Sequence, residues 1–127
     1  MTVVLDSWAI LRFLEGQGSA AGEVSALLAR EWPVVSWINL GEVFYVVRRA
    51  AGETAASEVV RDLLDVLRAE LPDGDRVLGA ARIKAEHPLA YADAFAAATA
   101  MAHEAELWTG DPELLVPAVP WQWRDLR

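Results

Sequence analysis

TVVLDSWAILRFLE, residues 2–15, changes its hydrophobic period in the middle, and that change decides the fold class. Residues 2–5 form a short β-branched and apolar run, which reads as a strand buried on both faces. Asp6 ends the run. Over residues 8–15, Ile10, Leu11 and Leu14 recur at helical spacing, and Gly16 and Gly18 stop the helix. A buried strand that passes straight into a helix, with a carboxylate at the junction, is how a parallel α/β layout begins.

The same alternation repeats outward from this stretch. Residues 20–31 read as a helix with Val24, Leu27 and Leu28 on one face, and Pro33 breaks the chain before a strand over residues 34–36. Residues 40–50 are helical and end at Gly52. Residues 53–71 form the longest periodic segment, with a stripe of Val59, Val60, Leu63, Leu64, Val66 and Leu67. That stripe is wide for a helix covering one domain surface, so both core packing and contact with a partner stay open. Pro72-Asp73-Gly74 marks a turn. Helices follow over residues 76–86 and, after Pro88, through about His103. Residues 107–109 predict a strand, Asp111-Pro112 a helix start, and residues 119–123 a final edge strand, where Pro117 and Pro120 are tolerated. Strands alternating with helices predict a mostly parallel sheet in one domain spanning residues 1–127.

Bulk properties narrow the function classes. The chain has 127 residues, of which 54% are apolar, enough to bury a core without covalent staples. It has no cysteine, which excludes disulfides, thiolate metal sites and thiol nucleophiles. Asp6, Arg12 and Glu15 interrupt the apolar N-terminus and no basic segment precedes it, so an unprocessed cytoplasmic protein without a membrane segment is expected. The net charge of −8 disfavours nonspecific nucleic-acid binding through a basic surface. It leaves room for a nuclease whose cations supply local positive charge, and for a basic protein partner.

Four carboxylates, Asp6, Glu42, Asp93 and Asp111, fall where a strand gives way to a helix or a helix has just begun. Ligands in open α/β sheets bind beyond the carboxyl ends of the strands, so these acids map to one edge of the sheet. Three have capping alternatives. Asp6 suits the N-cap of the first helix, Asn39 to Glu42 has capping-box spacing, and Asp111 precedes a proline. Asp93 lies in Tyr91-Ala92-Asp93-Ala94-Phe95-Ala96, where small neighbours imply close packing and a charge needs a partner or a metal. An all-oxygen cluster suits Mg²⁺ or Mn²⁺ rather than zinc, and carboxylate-held cations support phosphodiester hydrolysis. Ser7 and Thr109 are candidate hydroxyls for orienting a water or a phosphate, with helix capping the alternative for Ser7.

The segments Val3-Val4-Leu5-Asp6-Ser7, Ser36-Trp37-Ile38-Asn39-Leu40-Gly41-Glu42-Val43, Tyr91 to Ala100 and Thr109-Gly110-Asp111-Pro112-Glu113 resemble the PIN-domain ribonucleases. Within these, the chain is most similar to the VapC-type toxins of bacterial VapBC toxin–antitoxin pairs. The resemblance implies a PIN-like three-layer α/β/α fold. It also implies Mg²⁺- or Mn²⁺-dependent endoribonuclease activity on a structured RNA. Asp6, Glu42, Asp93 and Asp111 are the implied metal-binding and catalytic residues, with Ser7, Asn39 and Thr109 in support. The implied partners are a cognate VapB-type antitoxin that blocks the acidic groove and a second copy in a homodimer.

Other readings compete. A receiver-type signalling domain wants adjacent acids after its first strand and a lysine at the late sheet edge. Here Ser7 follows Asp6, and the only lysine, Lys84, lies within a predicted helix, so this reading is rejected. A standalone PIN nuclease in RNA processing and a non-catalytic PIN interaction module are the remaining alternatives. Arg12, Arg48, Arg49, Arg82 and Arg124 are candidates to gather around the acids. Trp8 and Trp37 flank acidic positions, where packing is the first expectation and base stacking the second. Trp121 and Trp123 are expected to share one face of the last strand, and His87 and His103 to be surface or capping residues.

Overall fold

Alternate residues of the first strand point into two different cores, and this organises the molecule. The computed structural model describes residues 2–127. β1 (Val3–Leu5) sends Val4 to one side with Val34 and Leu107, and Val3 and Leu5 to the other with Val35 and Trp108. Every strand residue of β1 is buried, as its uninterrupted apolar pattern requires. β2 (Val34–Ser36), β3 (Arg68–Glu70), β4 (Glu106–Thr109) and β5 (Gln122–Asp125) complete a sheet of order β3-β2-β1-β4-β5. All its pairings are parallel, with Val4 opposite Val34 on one side and Leu107 on the other.

Helices cover both faces. On one lie α5 (Gly74–Glu86) and α6 (Tyr91–Ala102), and on the other α1 (Ser7–Glu15), α2 (Gly18–Arg30), α3 (Trp37–Ala51) and α4 (Glu53–Leu64). The result is a three-layer α/β/α PIN-like fold. α6 is buried continuously from Asp93 to Ala100, which its run of alanines permits by letting backbones approach closely. No helix among the described residues is long and apolar enough to cross a membrane.

Three boundaries differ from the sequence expectation. The helix expected over residues 53–71 ends at Leu64, and residues 68–70 become edge strand β3, joined through the Arg68 N–H to the Pro33 carbonyl at 2.8 Å. Arg-Ala-Glu has little strand propensity, so pairing with β2 decides its conformation. The apolar stripe therefore divides: Leu63 and Leu67 enter the core with Val59 against it, while Leu64 and Val66 stay exposed. Asp111-Pro112 begins a single turn, with the Leu114 N–H bonded to the Asp111 carbonyl at 3.0 Å, and no helix follows. The last strand begins at Gln122 rather than residue 119, so Pro117 and Pro120 precede it. Trp121 consequently lies outside the strand, buried, while Trp123 is exposed; each indole N–H donates to a carbonyl seven residues earlier.

The histidines also take structural places. His87 follows α5 and sets its ring edge-on to Trp121 at 5.1 Å. His103 follows α6 and bonds Glu70 of β3 at 2.5 Å, while Arg76 of α5 bonds the same carboxylate and donates to Thr99 at 3.1 Å. These bonds draw the Glu70 carboxyl below its ordinary value against the opposing effect of burial. They tie the short edge strand to α5 and α6.

Candidate metal centre at the carboxyl edge of the sheet

The carboxyl end of β1 becomes the start of α1 at Asp6, which is 1% exposed. Its Oδ1 accepts from the Ala9 N–H at 2.9 Å, so the capping role is real. Its Oδ2 accepts from the Thr109 hydroxyl. Parallel pairing sets Leu5 opposite Trp108, which places Thr109, the last residue of β4, beside Asp6. The same Thr109 oxygen accepts from the Asp111 N–H at 2.9 Å, and so links two acids that are 105 residues apart in sequence. Asp111 itself is half-buried and accepts from the Glu113 N–H at 2.9 Å.

Glu42 is not a capping residue. Ser36 caps α3 instead, its hydroxyl accepting from the Ile38 N–H at 3.2 Å, which puts Glu42 in the second turn. There its Oε1 accepts from the Ser7 hydroxyl at 2.8 Å and from Asn39 Nδ2 at 3.2 Å. Asn39 Nδ2 also donates to the Ala92 carbonyl at 3.1 Å, immediately before Asp93. Asp93 sits in the first turn of α6 and is buried. Each of Ser7, Asn39 and Thr109 therefore bonds one of the acids directly.

The cluster is electrostatically unfavourable to its own ionisation. Burial pushes the Asp6 carboxyl up to about 7, against the bonds from Thr109 and Ala9, with the charges of Asp111 and Glu42 adding to the rise. Asp93 is raised further, first by burial, then by the charge of Asp111, a hydrogen bond with it, and the charges of Asp6 and Glu42. No arginine bonds these acids among the described residues. Arg12 pairs with Glu15 and Arg48 with Glu53, while Arg124 pairs with Glu23. Arg49 lies 5.8 Å from the Tyr45 ring, and Arg82 lines a different cleft.

An oxygen-binding cation would relieve this repulsion, and the donors fit one. Carboxylate oxygens of Asp93, Asp111 and Glu113 lie within 4.8 Å of one another. The set contains only oxygen, the donor type Mg²⁺ and Mn²⁺ prefer. Glu113 was not among the residues singled out from sequence as ligands. Its signal was its place two residues beyond Asp111, across a proline that turns the chain back. A separate surface cleft of about 600 Å³ between α5 and α6 is lined by Asp73, Asp75, Arg76, Arg82 and Glu86 and contains none of the four acids.

Gly110 lets β4 leave the sheet beneath Trp8. A Cβ at that position would stand 2.3 Å from the Trp8 ring, whose face also carries the Arg12 guanidinium at 4.8 Å. Gly110→Ala is expected to cost about 1–3 kcal/mol through overpacking or to rotate Trp8 out of place. Thermal melting with tryptophan fluorescence measures this; an unchanged melting temperature and spectrum would refute the close contact.

No curated protein is significantly similar to this chain in sequence. Solved structures are similar in fold. One is DNA-bound VapBC from Salmonella typhimurium, with TM-score 0.79, 17% identity, and coverage of 100% of this chain and 99% of that one. Another is VapBC-1 from nontypeable Haemophilus influenzae, with TM-score 0.77, 20% identity, and coverage of 99% and 98%. A third is VapC20 from Mycobacterium tuberculosis, a Sarcin-Ricin loop cleaving toxin, with TM-score 0.72, 18% identity, and coverage of 88% and 92%. The family model for the PIN domain matches residues 3–119, a span that holds the parallel β1–β4 core and all four edge carboxylates. By that match and this architecture, the chain belongs to the PIN domain family.

Proposed function

We propose that this PIN domain, spanning residues 1–127, is the toxin of a VapBC-type toxin–antitoxin pair. It acts as a Mg²⁺- or Mn²⁺-dependent endoribonuclease that hydrolyses phosphodiester bonds in a structured RNA. The observation that carries the reading is the convergence of Asp6, Glu42, Asp93 and Asp111 at one edge of the sheet, where burial pushes the carboxyls of Asp6 and Asp93 up. Asp6, Glu42, Asp93 and Asp111 would hold the cation, with Glu113 in reach of Asp93 and Asp111. When bound, it supplies a more acidic water and neutralises charge on the reacting phosphate.

The chain's own residues prepare that chemistry. Thr109 fixes the Asp6 carboxylate by donating to Oδ2, while the Ala9 N–H holds Oδ1. Ser7 and Asn39 both bind Oε1 of Glu42, which orients that carboxylate from two sides. Such preorganisation matters because an acid that must reorient during the reaction loses much of its electrostatic benefit.

A cognate VapB-type antitoxin is the proposed regulatory partner, because solved structures of similar fold are VapBC complexes and the −8 charge suits a basic segment entering the groove. A cytoplasmic homodimer is the proposed working form. The deciding experiment incubates purified protein with RNA. Cleavage should require Mg²⁺ or Mn²⁺, stop with EDTA, and stop again with antitoxin. Cleavage that persists in excess EDTA would remove the cation from the mechanism, and no cleavage of any RNA would favour a non-catalytic interaction module.

A further inference from the structure

Asn39 is fully buried, and its amide oxygen is the one buried side-chain polar atom among the described residues that has no hydrogen-bond partner. The amide cannot be turned over to satisfy it. Both groups facing the nitrogen, Glu42 Oε1 at 3.2 Å and the Ala92 carbonyl at 3.1 Å, are acceptors, so Nδ2 must face them. That uses both amide hydrogens and leaves Oδ1 as the open end.

Leaving a buried acceptor unpaired costs about 1–3 kcal/mol, so its retention calls for a donor. The two hydroxyls that bond the acids have no hydrogen to give. Ser7 donates its single hydrogen to Glu42, and Thr109 donates its own to Asp6. With a cation bound, the carboxylates of the cluster are ionised and donate nothing. Water is the remaining donor suited to this site.

We propose that Asn39 is a positioning residue of the acid cluster. Its amide nitrogen ties Glu42 to the opening turn of α6, which carries Asp93, and its amide oxygen accepts a hydrogen bond from a water ordered when the cluster binds a cation. The inference rests on the cation-dependent reading above and adds to it. Asn39 sets the distance between α3 and α6 at the point where each contributes an acid, so cation affinity depends on it without Asn39 itself being a ligand.

The test uses Mn²⁺ alone, without RNA, on the full-length wild type, Asn39→Leu and Asn39→Ser. Leucine has a similar size and neither donates nor accepts; serine has one hydrogen and cannot span both acceptors. Calorimetry should show Mn²⁺ affinity falling about 10–100-fold in both variants, the usual consequence of losing a group that orients a ligand. The melting temperature of the metal-free protein should stay within a few degrees of wild type. A crystal structure of the Mn²⁺-loaded wild type should place a water at about 3 Å from Asn39 Oδ1. Variant affinities within twofold of wild type would overturn the inference while the cation-dependent reading survives. A lowered melting temperature with unchanged affinity would overturn it in the same way, by making Asn39 purely structural. If wild type itself binds no Mn²⁺, both readings fall. Should Asn39→Leu not fold, the serine variant supplies the same comparison.

Discussion

Asp93→Asn is expected to abolish RNA cleavage while raising the melting temperature of the metal-free protein at neutral pH. The two effects have one cause. Asp93 is 6% exposed and faces the charges of Asp111, Asp6 and Glu42, so its carboxyl is driven well above the usual range. An amide of the same shape is neutral at every pH, so it removes the cost of holding a proton that the unfolded chain has released, a gain on the order of 2–4 kcal/mol at pH 7. It also removes a charged oxygen donor, and losing several kcal/mol of charge stabilisation in the transition state slows the reaction by about 10³-fold or more. Asp6→Asn should silence the enzyme as well, with a smaller gain in stability because its bonds to Thr109 and Ala9 already favour the charged form. Cleavage assays and thermal melts of the same preparations measure both quantities. Robust cleavage by both variants would refute the site assignment; a less stable Asp93→Asn would refute the account of its burial.

The metal-free protein should lose stability as pH rises from about 4 to 8, and Mg²⁺ or Mn²⁺ should restore it. Folding raises the Asp6 carboxyl from 3.8 to about 7. Between those values the native state keeps a proton that the unfolded chain has released, so unfolding becomes easier with rising pH. The contribution is fully present below the unfolded value and lost by the time pH passes the folded one. For Asp6 alone this amounts to about 4 kcal/mol, and Asp93 acts with the same sign over a window that reaches higher. Glu70 works in the opposite sense, since its carboxyl is lowered from 4.5 and its contribution disappears only in acid below that range. A bound cation takes the place of the protons. Its stabilising effect should therefore be larger at pH 8 than at pH 5.5, with proton release on binding near pH 6 that fades above pH 8. Melting curves across pH with and without Mn²⁺, and calorimetry in buffers of different ionisation enthalpy, read these directly. A cation-induced shift that is the same at pH 5.5 and pH 8 would contradict the mechanism.

Parts of this molecule were legible in the chain alone because local pattern and tertiary demand agree. The run ending at Leu5 is apolar at every position, and only a central parallel strand buries both of its faces. Residues 34–36 open with two β-branched valines after Pro33, so even their limits could be read. The alanines of α6 announce a helix packed on all sides, so the charge of Asp93 stands out in the sequence itself. β3 was not legible. Arg68, Ala69 and Glu70 have neither apolar alternation nor strand propensity, and the preceding apolar residues fit a longer helix equally well. Their conformation comes from the open edge of β2 and from Arg76 and His103 closing on Glu70, contacts that bridge 6 and 33 residues of sequence.

The same division runs through the site. Sequence by itself determined which residue types stand at the ends of strands and starts of helices, because strand and helix periods and the carboxyl-edge rule depend on local pattern and chain direction. Only the tertiary structure decided which of those groups touch. Glu42 has capping-box spacing in sequence, yet Ser36 starts the helix earlier and leaves Glu42 free to meet Ser7 and Asn39. Thr109 joins Asp6 to Asp111 because β1 and β4 are neighbours in register, which neither strand encodes alone. Glu113 reaches Asp93 and Asp111 because the chain turns once after Asp111 instead of continuing as a helix. The raised carboxyls of Asp6 and Asp93 belong to the assembled fold for the same reason: desolvation and charge repulsion depend on what surrounds a group in space, and the chain brings those surroundings together only when it folds.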